Sequence, residues 1–364
     1  MDSEVFKILS IDGGGIRGII PCQILAELEN DMICRDGQDA RLCDYFDLIA
    51  GTSTGGIIAI DIALGIRVQT ILDLYLNHGE EIFPSRNQRT ISKIINIFQG
   101  NPFYQRKRLK ELLKIAYEGN TGISDVRIGH AKTRLIIPTY SLSNREIHVL
   151  KTSHSPKLQR DYQIPAVDAA LSTAAAPAYF TPYDFQYNNI GKDGDESMSK
   201  MVDGGIVANN PAFMALLEAT NCLNIPLENI RLLSLGTGEE KKICPKKSSE
   251  ITPWFWVNPT KGPMLYEIMA EAQSAQVHNL LNLYKNGIGG NVDDRFLYVR
   301  LQHMFGDNDH IDLDSTSADN MKLMREAATR IYRHECANIK TYFASSRKQE
   351  FIPYYKIFKY MTKI

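Results

Sequence analysis

The sequence has no long hydrophobic segment and no export signal. No uninterrupted apolar run in its 364 residues approaches the roughly 20 residues that cross a bilayer. The first residues, MDSEVFKILSIDGGGIRG, carry two acidic side chains near the start and no cationic stretch ahead of an apolar one. We therefore expect a cytoplasmic protein that meets membranes only at their surface.

Cysteine is too scattered to form a metal-binding or disulfide framework. The six cysteines form no CxxC pair and are not interleaved with histidine at zinc-finger spacing. They are expected to be reduced thiols of a cytosolic protein. No clustered metal ligands accompany the motifs described below, so neither a metal nor another cofactor is expected.

The chain also lacks an excess of charge of either sign. With a formal net charge of -1, it has no overall field that would hold a nucleic acid polymer or an anionic membrane. Any contact with such a partner must be local. A hydrophobic content of 44% is ordinary for a folded globular protein.

Two strand–turn–helix units open the sequence. Apolar residues over 5–11 and 45–50 predict buried strands, and each runs into a glycine-rich turn. Apolar residues at helical spacing follow at 19–32 and 57–64. Such units predict an α/β fold of three layers, α/β/α, with a mainly parallel central sheet. Further strands are predicted at 133–137, 147–150, 230–235 and 296–300, and further helices at 68–77, 109–117, 167–173, 212–220, 265–284 and 318–333.

The turn after the second strand contains a candidate nucleophile. Residues 51–55, GTSTG, match G-x-S-x-G and stand between an apolar strand and an apolar helix, the context that this pattern requires. Gly51 and Gly55 let the chain turn sharply enough to hold the Ser53 hydroxyl at the tip. The amino end of the following helix favours negative charge that develops there. We therefore predict that Ser53 is a catalytic nucleophile.

A serine nucleophile needs a neighbouring base, and the sequence offers no obvious histidine for that role. None of the eight histidines lies in a glycine-rich loop. In the chain order Ser-Asp-His, the candidates that remain for a full triad are His278, His303 and His310.

The turn after the first strand contains a candidate anion site. Residues 12–18, DGGGIRG, direct several backbone N–H groups to one place at the start of a helix. They also satisfy the G-x-G-x-x-G pattern of dinucleotide-binding proteins, so a dinucleotide-dependent oxidoreductase is an alternative. That pattern requires a second strand ending in an acidic residue, whereas Asp36 and Asp39 lie in a polar stretch. The glycine amides and the cationic Arg17 would serve equally well as an oxyanion hole, which would then consist of Gly13, Gly14, Gly15 and Arg17.

In the order of its motifs, the chain resembles the patatin-like phospholipases. In that family a DGGGxRG loop, a GxSxG turn and a later Asp-Gly-Gly or Asp-Gly-Ala form the site, and this chain has all three in order, the last at 203–205. The resemblance continues through the stretches at 169–180, 209–211 and 235–238. It implies a patatin-like catalytic domain over 1–240 and a mainly helical extension over 241–364 packed on the same domain.

The resemblance also implies the second catalytic residue. Asp203 would be the base and the only side-chain partner of Ser53, in a turn formed with Gly204 and Gly205. An apolar setting would raise its affinity for protons enough to accept one from the serine. The chain would then be a serine acyl hydrolase that releases a fatty acid and a lysolipid from membrane glycerophospholipids. A lipid- or nucleotide-binding module without turnover is the alternative outside enzymes.

A narrower similarity exists within the family. Residues 132–140 and 149–154 are similar to those of bacterial phospholipases that cyclic dinucleotides activate in antiphage defence. This similarity implies a cyclic dinucleotide activator and a role in antiviral defence, and it leaves open a homo-oligomer. Residues 84–102 combine an apolar stripe with basic side chains, which suits either a surface helix or a lid over a lipid-binding cleft.

Overall fold

The computed structural model describes residues 5–83, 106–177, 179–189, 194–240, 247–252, 255–256, 264–286, 296–306, 309, 311, 313–314 and 316–357. The segment 84–102, for which a surface helix or a lid is predicted, lies outside the described residues. That prediction stays a prediction.

An eight-stranded sheet lies at the centre of the described residues. Its strands follow the order β5-β6-β3-β2-β1-β7-β8, and β4 pairs with β3. The pairs β1–β2, β1–β7, β2–β3 and β7–β8 are parallel. The strands are β1 (Phe6–Ile11), β2 (Leu48–Gly51), β3 (Arg134–Ser141), β4 (Glu146–Lys151), β5 (Tyr183–Asn188), β6 (Asp195–Asp203), β7 (Ile230–Leu235) and β8 (Leu297–Leu301).

Helices connect the strands and cover the sheet. They are α1 (Ile19–Asp36), α2 (Thr54–Ala63), α3 (Val68–Ile82), α4 (Lys107–Thr121), α5 (Ala166–Thr173), α6 (Gly205–Ala208), α7 (Ala212–Leu217), α8 (Met264–Asn286) and α9 (Ala318–Phe343). A π-helical turn, Glu218–Cys222, continues α7. None of the helices in the described ranges is both long and apolar enough to cross a bilayer.

Each face of the sheet has its own hydrophobic core, because successive residues of a strand point to opposite faces. In β1, Ile8 belongs to one core and Leu9 to the other, and Leu48 and Ile49 of β2 divide in the same way. The larger core includes residues of α1 to α5 and α9, and the smaller one includes residues of α7 and α8. Burial on both faces explains why the central strands are continuous apolar runs.

The predicted fold class is confirmed: the sheet is mixed, mostly parallel, and covered by helices on both sides. The prediction contained neither β5 nor β6, which form an antiparallel hairpin at one edge. The sequence of β6, DESMSKMVD, is polar for most of its length, and only its last three residues are continuously buried. No apolar run therefore marks the strand that ends at Asp203.

The last third of the chain is joined to the same sheet and helices. β8 pairs with β7 in parallel, with Arg300 opposite Ser234. α9 packs on α1, where the Tyr332 hydroxyl donates to Asp31 Oδ2 at 2.7 Å. The structure thus places elements from beyond residue 240 next to the seventh strand and the first helix.

The helix that follows Ser53 contains a buried carboxyl. Asp61 of α2 is 3% exposed, and among the described residues its Oδ1 has no hydrogen-bond partner. Burial raises the pKa of Asp61 well above its usual range, and the nearby Tyr117 hydroxyl opposes that shift only in part. The folded protein therefore holds the proton of Asp61 more tightly than the unfolded chain does.

The stability of Asp61→Asn relative to that of wild type should increase as the pH rises. The carboxyl holds its proton more tightly in the folded protein than in the unfolded chain, where it ionises above about pH 4, so rising pH favours unfolding of the wild type. The free energy of unfolding of Asp61→Asn minus that of wild type is expected to grow with pH, by at most about 1.4 kcal/mol per pH unit. Urea unfolding between pH 5 and pH 7.5 measures this difference. The exposed Asp39→Asn should show no such trend, and a difference independent of pH for Asp61→Asn would contradict the assignment.

Candidate active site

The two glycine-rich turns lie side by side at the carboxyl edge of the sheet. β1 and β2 are parallel neighbours, with Ile11 opposite Gly51. A Cβ atom on Gly13 would lie 3.2 Å from the Ser53 Cβ, and one on Gly55 would lie 2.3 Å from the Ile11 carbonyl oxygen. Larger residues at these two glycines would push the turns apart. The close approach of the two turns therefore depends on Gly13 and Gly55.

Ser53 forms the tip of the turn between β2 and α2. Its φ of 55° and ψ of -124° are unusual for a residue other than glycine, and such strain typically costs roughly 1–3 kcal/mol and concentrates at functional sites. The Ser53 N–H donates to Thr173 Oγ1 at 3.1 Å, and the Thr173 hydroxyl donates to the Pro138 carbonyl at 2.7 Å. The serine is thus held at the amino end of α2, where the helix dipole favours negative charge.

Asp203, at the end of β6, is completely buried. Its N–H donates to the Ala175 carbonyl at 3.1 Å, and the Gly204 N–H donates to the Thr173 carbonyl at 3.2 Å. Oδ1 of the carboxyl accepts the Gly205 N–H at 2.7 Å. Oδ2 has no hydrogen-bond partner in the described part of the chain. Thr173 therefore contacts both the turn at residues 51–55, the serine turn, and the turn at residues 203–205, the aspartate turn.

Burial raises the pKa of Asp203 to about 7. The Ser53 hydroxyl, the Gly205 N–H and the Tyr266 hydroxyl act in the opposite direction, because each stabilises the ionised form. Neither hydroxyl is aligned for a hydrogen bond with Oδ2 in this conformation, and catalytic hydrogen bonds often tighten only when substrate binds. A carboxyl with this pKa can take up and release a proton near neutral pH.

Residues 12–18, the glycine loop, supply hydrogen-bond donors beside Ser53. The Gly13 N–H donates to the Asn209 carbonyl at 3.0 Å, and the Arg17 N–H donates to the Gly14 carbonyl at 3.1 Å. Among the hydrogen bonds of the described residues, the N–H groups of Gly14 and Gly15 are not used. Of the predicted oxyanion-hole glycines, these two therefore have N–H groups available for an anion in this conformation.

Arg17 adds a buried cation to the same loop. Its side chain lines the pocket that contains Ser53, and the residue is 7% exposed. Its Nε has no hydrogen-bond partner among the described residues. Because an unsatisfied buried guanidinium is costly, the position favours an anion or a group that develops negative charge.

The pocket in front of Ser53 has both polar and apolar linings. The glycine loop and Asn209 contribute backbone and amide groups. The apolar part is formed by Ile57, Tyr75, Ile82, Phe83, Leu109 and Phe180. An extended hydrocarbon chain matches this part of the pocket, because such a wall offers no polar partner for water or a charged group.

Histidine is not found among the described residues that line this pocket. Two of the three triad candidates are engaged elsewhere: His278 Nδ1 is 3.0 Å from the Tyr298 hydroxyl, and the His303 ring contacts Phe305. The third, His310, lies outside the described residues. Within the described ranges, no three His, Cys, Asp or Glu side chains are grouped so as to hold a metal ion.

A buried ion pair fixes the start of the glycine loop. Arg300 of β8 donates to Asp12 through Nη1 to Oδ1 at 2.8 Å and through Nη2 to Oδ2 at 2.6 Å. The two side chains are 7% and 3% exposed. Ser274 of α8 donates to Oδ2 at 3.1 Å. The sequence analysis missed Arg300, Ser274 and Tyr266, because no local pattern indicates which distant side chain meets a buried aspartate.

The chain is similar to known proteins over most of its length. The family model described as patatin-like phospholipase matches residues 9–216. Patatin-like protein 2 of Arabidopsis thaliana is 27% identical, over 92% of this chain and 85% of that protein. The cGAMP-activated phospholipase of Escherichia coli (strain TW11681) is 32% identical, over 69% of this chain and 67% of that protein. The protein of the same name from Vibrio cholerae serotype O1 is 34% identical, over 66% of each.

Removing Arg300 should destabilise the protein strongly. Arg300→Met leaves the Asp12 carboxylate buried without its cation, which is expected to lower the free energy of unfolding by about 3–5 kcal/mol. Asp12→Asn combined with Arg300→Met should recover part of this loss, because no unpaired charge remains. Urea unfolding measures all three proteins. The matched control is Arg231→Met in the neighbouring strand, which should cost less than about 1 kcal/mol, and an equally small cost for Arg300→Met would contradict the role of the pair.

Proposed function

The chain belongs to the patatin-like phospholipases, and from this premise we propose that it cleaves fatty-acyl esters of membrane glycerophospholipids with Ser53 as nucleophile and Asp203 as base. Its family and its phospholipase relatives make it a hydrolase, and they leave the oxidoreductase alternative without support. The observation that carries the proposal is a fully buried Asp203 carboxyl with a pKa of about 7 beside the strained Ser53 turn.

In the first half of the reaction, the Ser53 hydroxyl oxygen attacks the carbonyl carbon of the ester, and its proton passes to Asp203. The carbonyl oxygen becomes an oxyanion that accepts hydrogen bonds from the glycine loop, where Gly14 and Gly15 have N–H groups available. When the carbon–oxygen bond to glycerol breaks, the leaving alkoxide takes the proton from Asp203. The products of this half are a lysolipid and an acyl-serine.

In the second half, a water molecule takes the place of the lysolipid. Asp203 accepts a proton from the water as its oxygen attacks the acyl carbon, and a second oxyanion forms at the same N–H groups. The bond to the Ser53 oxygen then breaks, and Asp203 returns the proton to that oxygen. A free fatty acid leaves, and the serine and the aspartate recover their starting protonation states.

The pocket supports a long acyl chain as the group transferred. Its apolar side chains, described above, lie in the same cavity as Ser53 and the glycine loop. Burying each methylene of a fatty-acyl chain against such a wall contributes about 0.8 kcal/mol. The substrate lies in a membrane, so the proposed enzyme acts at the membrane surface.

Ser53→Ala should abolish fatty-acid release from phospholipid vesicles. Loss of a serine nucleophile typically lowers kcat by at least about 10³-fold, because acyl transfer to the enzyme can no longer occur. The control is Ser143→Ala in an exposed turn, which should keep wild-type release. Fatty-acid release from glycerophospholipid vesicles is measured for the three proteins, and equal release by Ser53→Ala and wild type would remove the basis of the proposal.

The rate should fall as the solution becomes more acidic than about pH 7. The base must be ionised to accept a proton, and burial raises the pKa of Asp203 to about 7. The value of kcat/KM is therefore expected to decrease tenfold per pH unit below that midpoint and to level off above it. Hydrolysis of a soluble aryl ester between pH 5 and pH 9 measures the profile. A midpoint near pH 4, the ordinary value for an aspartate, would contradict the assigned base.

A cyclic dinucleotide activator is a second proposal, drawn from the relatives. Two proteins at 32% and 34% identity are named cGAMP-activated phospholipases. The similarity over residues 132–140 and 149–154 agrees with that name. A phospholipase that acts on membranes endangers its own cell unless a lid or an assembly step holds it inactive, and a ligand can switch such a state. Activation by a cyclic dinucleotide during antiviral defence would provide this control.

The activator is tested with the same vesicle assay. Release is measured without nucleotide and with each member of a cyclic dinucleotide panel that includes cGAMP, in wild type and Ser53→Ala. One nucleotide is expected to increase the rate of release by wild type by at least about tenfold, which corresponds to about 1.4 kcal/mol in activation free energy. Equal release with and without every nucleotide would overturn the activation and leave the hydrolase proposal standing. Analytical ultracentrifugation of the same samples shows whether a homo-oligomer forms.

A further inference from the structure

Helix α8 contacts the start of the glycine loop and the segment that follows Asp203, although it lies beyond the segment that the family model matches. Gln273 Oε1 accepts the Asn210 N–H at 2.9 Å, and Ser274 Oγ accepts a hydrogen bond from Asn209 Nδ2 at 3.2 Å. Tyr266 lies two turns earlier on the same face, because residues seven or eight apart lie above one another on a helix. Contacts that do not involve Tyr266 thus hold the helix at the site.

The Tyr266 hydroxyl lies beside the Asp203 carboxyl. A Cβ atom on Gly205 would lie 2.5 Å from the Tyr266 hydroxyl oxygen and 3.0 Å from Asp203 Oδ1, so both oxygens border the same point. The Tyr266 side chain also lines the pocket that contains Ser53. One tyrosine therefore adjoins the proposed base and the space for substrate.

Asp203 needs a side-chain donor of this kind. An ionised carboxylate accepts about four hydrogen bonds, whereas among the described residues this one accepts a well-aligned hydrogen bond only from the Gly205 N–H. The carboxylate must keep its orientation towards Ser53 while it gains and loses a proton twice in each turnover. A single backbone contact at Oδ1 leaves rotation of the carboxylate group weakly restrained.

The other ionisable groups around the pocket are not substitutes for the tyrosine. The side chains that stabilise the ionised form of Asp203 are those of Ser53 and Tyr266. Ser53 is the nucleophile and loses its proton in the reaction, so it cannot hold the carboxylate throughout. The groups that favour the ionised form of Asp203 do not include the remaining ionisable side chains that line the pocket, which are Asp12, Arg17, Tyr75, Tyr179, Glu239, Glu267 and Glu271.

We propose that Tyr266 is a positioning residue of the catalytic centre, whose hydroxyl donates to the Asp203 carboxylate and keeps it directed at Ser53. Tyrosine suits this role because it donates without adding a charge. Burial and the neighbouring Asp203 raise the pKa of Tyr266 well above its usual range, so it keeps its proton wherever Asp203 titrates. A cation at this place would hold Asp203 ionised and make it a weaker base. The inference rests on the proposed hydrolase function.

The test compares two tyrosine-to-phenylalanine variants. Tyr266→Phe removes only the hydroxyl, and Tyr332→Phe is the matched control because it removes a hydroxyl that donates to Asp31 on the α1–α9 interface. The dependence of kcat/KM on pH is measured from pH 5 to pH 9 with wild type and both variants. On the acid side of the profile (the acid limb), the pH at which kcat/KM is half its maximum should be about one unit higher in Tyr266→Phe than in wild type. The reason is that a hydrogen bond to the charged carboxylate has been lost. Above the limb, kcat/KM of Tyr266→Phe should stay below that of wild type, because the carboxylate is less well directed at Ser53, and Tyr332→Phe should keep the wild-type profile.

An unchanged limb in Tyr266→Phe overturns the inference, whether its activity is preserved or reduced evenly at every pH. If thermal unfolding shows that Tyr266→Phe does not fold, Gly205→Ala tests the same contact, because its methyl group would displace the Tyr266 hydroxyl. The limb of Gly205→Ala must then move in the same direction, and a limb at the wild-type position overturns the inference. Failure of the hydrolase proposal is a separate result, in which Ser53→Ala releases as much fatty acid as wild type.

Discussion

The hydrogen bonds of Thr173 connect the two halves of the proposed dyad. Its Oγ1 accepts the Ser53 N–H and donates to the Pro138 carbonyl of β3, and its own carbonyl accepts the Gly204 N–H next to Asp203. One residue at the end of α5 therefore meets the sheet, the serine turn and the aspartate turn. The separation of the two side chains is set by buried backbone rather than by flexible surface groups. The glycine loop and the pocket are arranged around that fixed separation.

Two buried aspartates lie at this edge of the sheet, and their surroundings differ. Asp12 is paired with the guanidinium of Arg300, which stabilises the ionised carboxylate against the larger effect of burial on its pKa, and the pair holds the start of the glycine loop. Asp203 meets only uncharged donors, and burial raises its pKa to about 7. The same fold thus contains one carboxyl that anchors the glycine loop through an ion pair and one that can exchange a proton near neutral pH. The difference comes from whether a cation lies within reach.

The sequence predicted those parts of the site that depend on local pattern. GTSTG and DGGGIRG each follow an apolar strand and precede a helix, so Ser53 and the glycine loop could be placed from the residues alone. Asp203 was predicted only through the family resemblance, because Asp-Gly-Gly is common in turns and the strand before it is polar. Tyr266, Ser274 and Arg300 could not be predicted, since their contacts with the catalytic turns join residues separated by more than 60 positions. The proposed lid over residues 84–102 remains a prediction.

The ion pair between Asp12 and Arg300 bears on how short a fragment of this protein could be and still catalyse. All the motif residues lie before residue 240, so a fragment cut there would look complete by its motifs. It would nevertheless leave Asp12 buried without a counterion and remove β8 from its place beside β7. We therefore expect the smallest active unit to extend beyond the last motif. Anyone who transplants or shortens this fold has to keep the chain at least as far as β8.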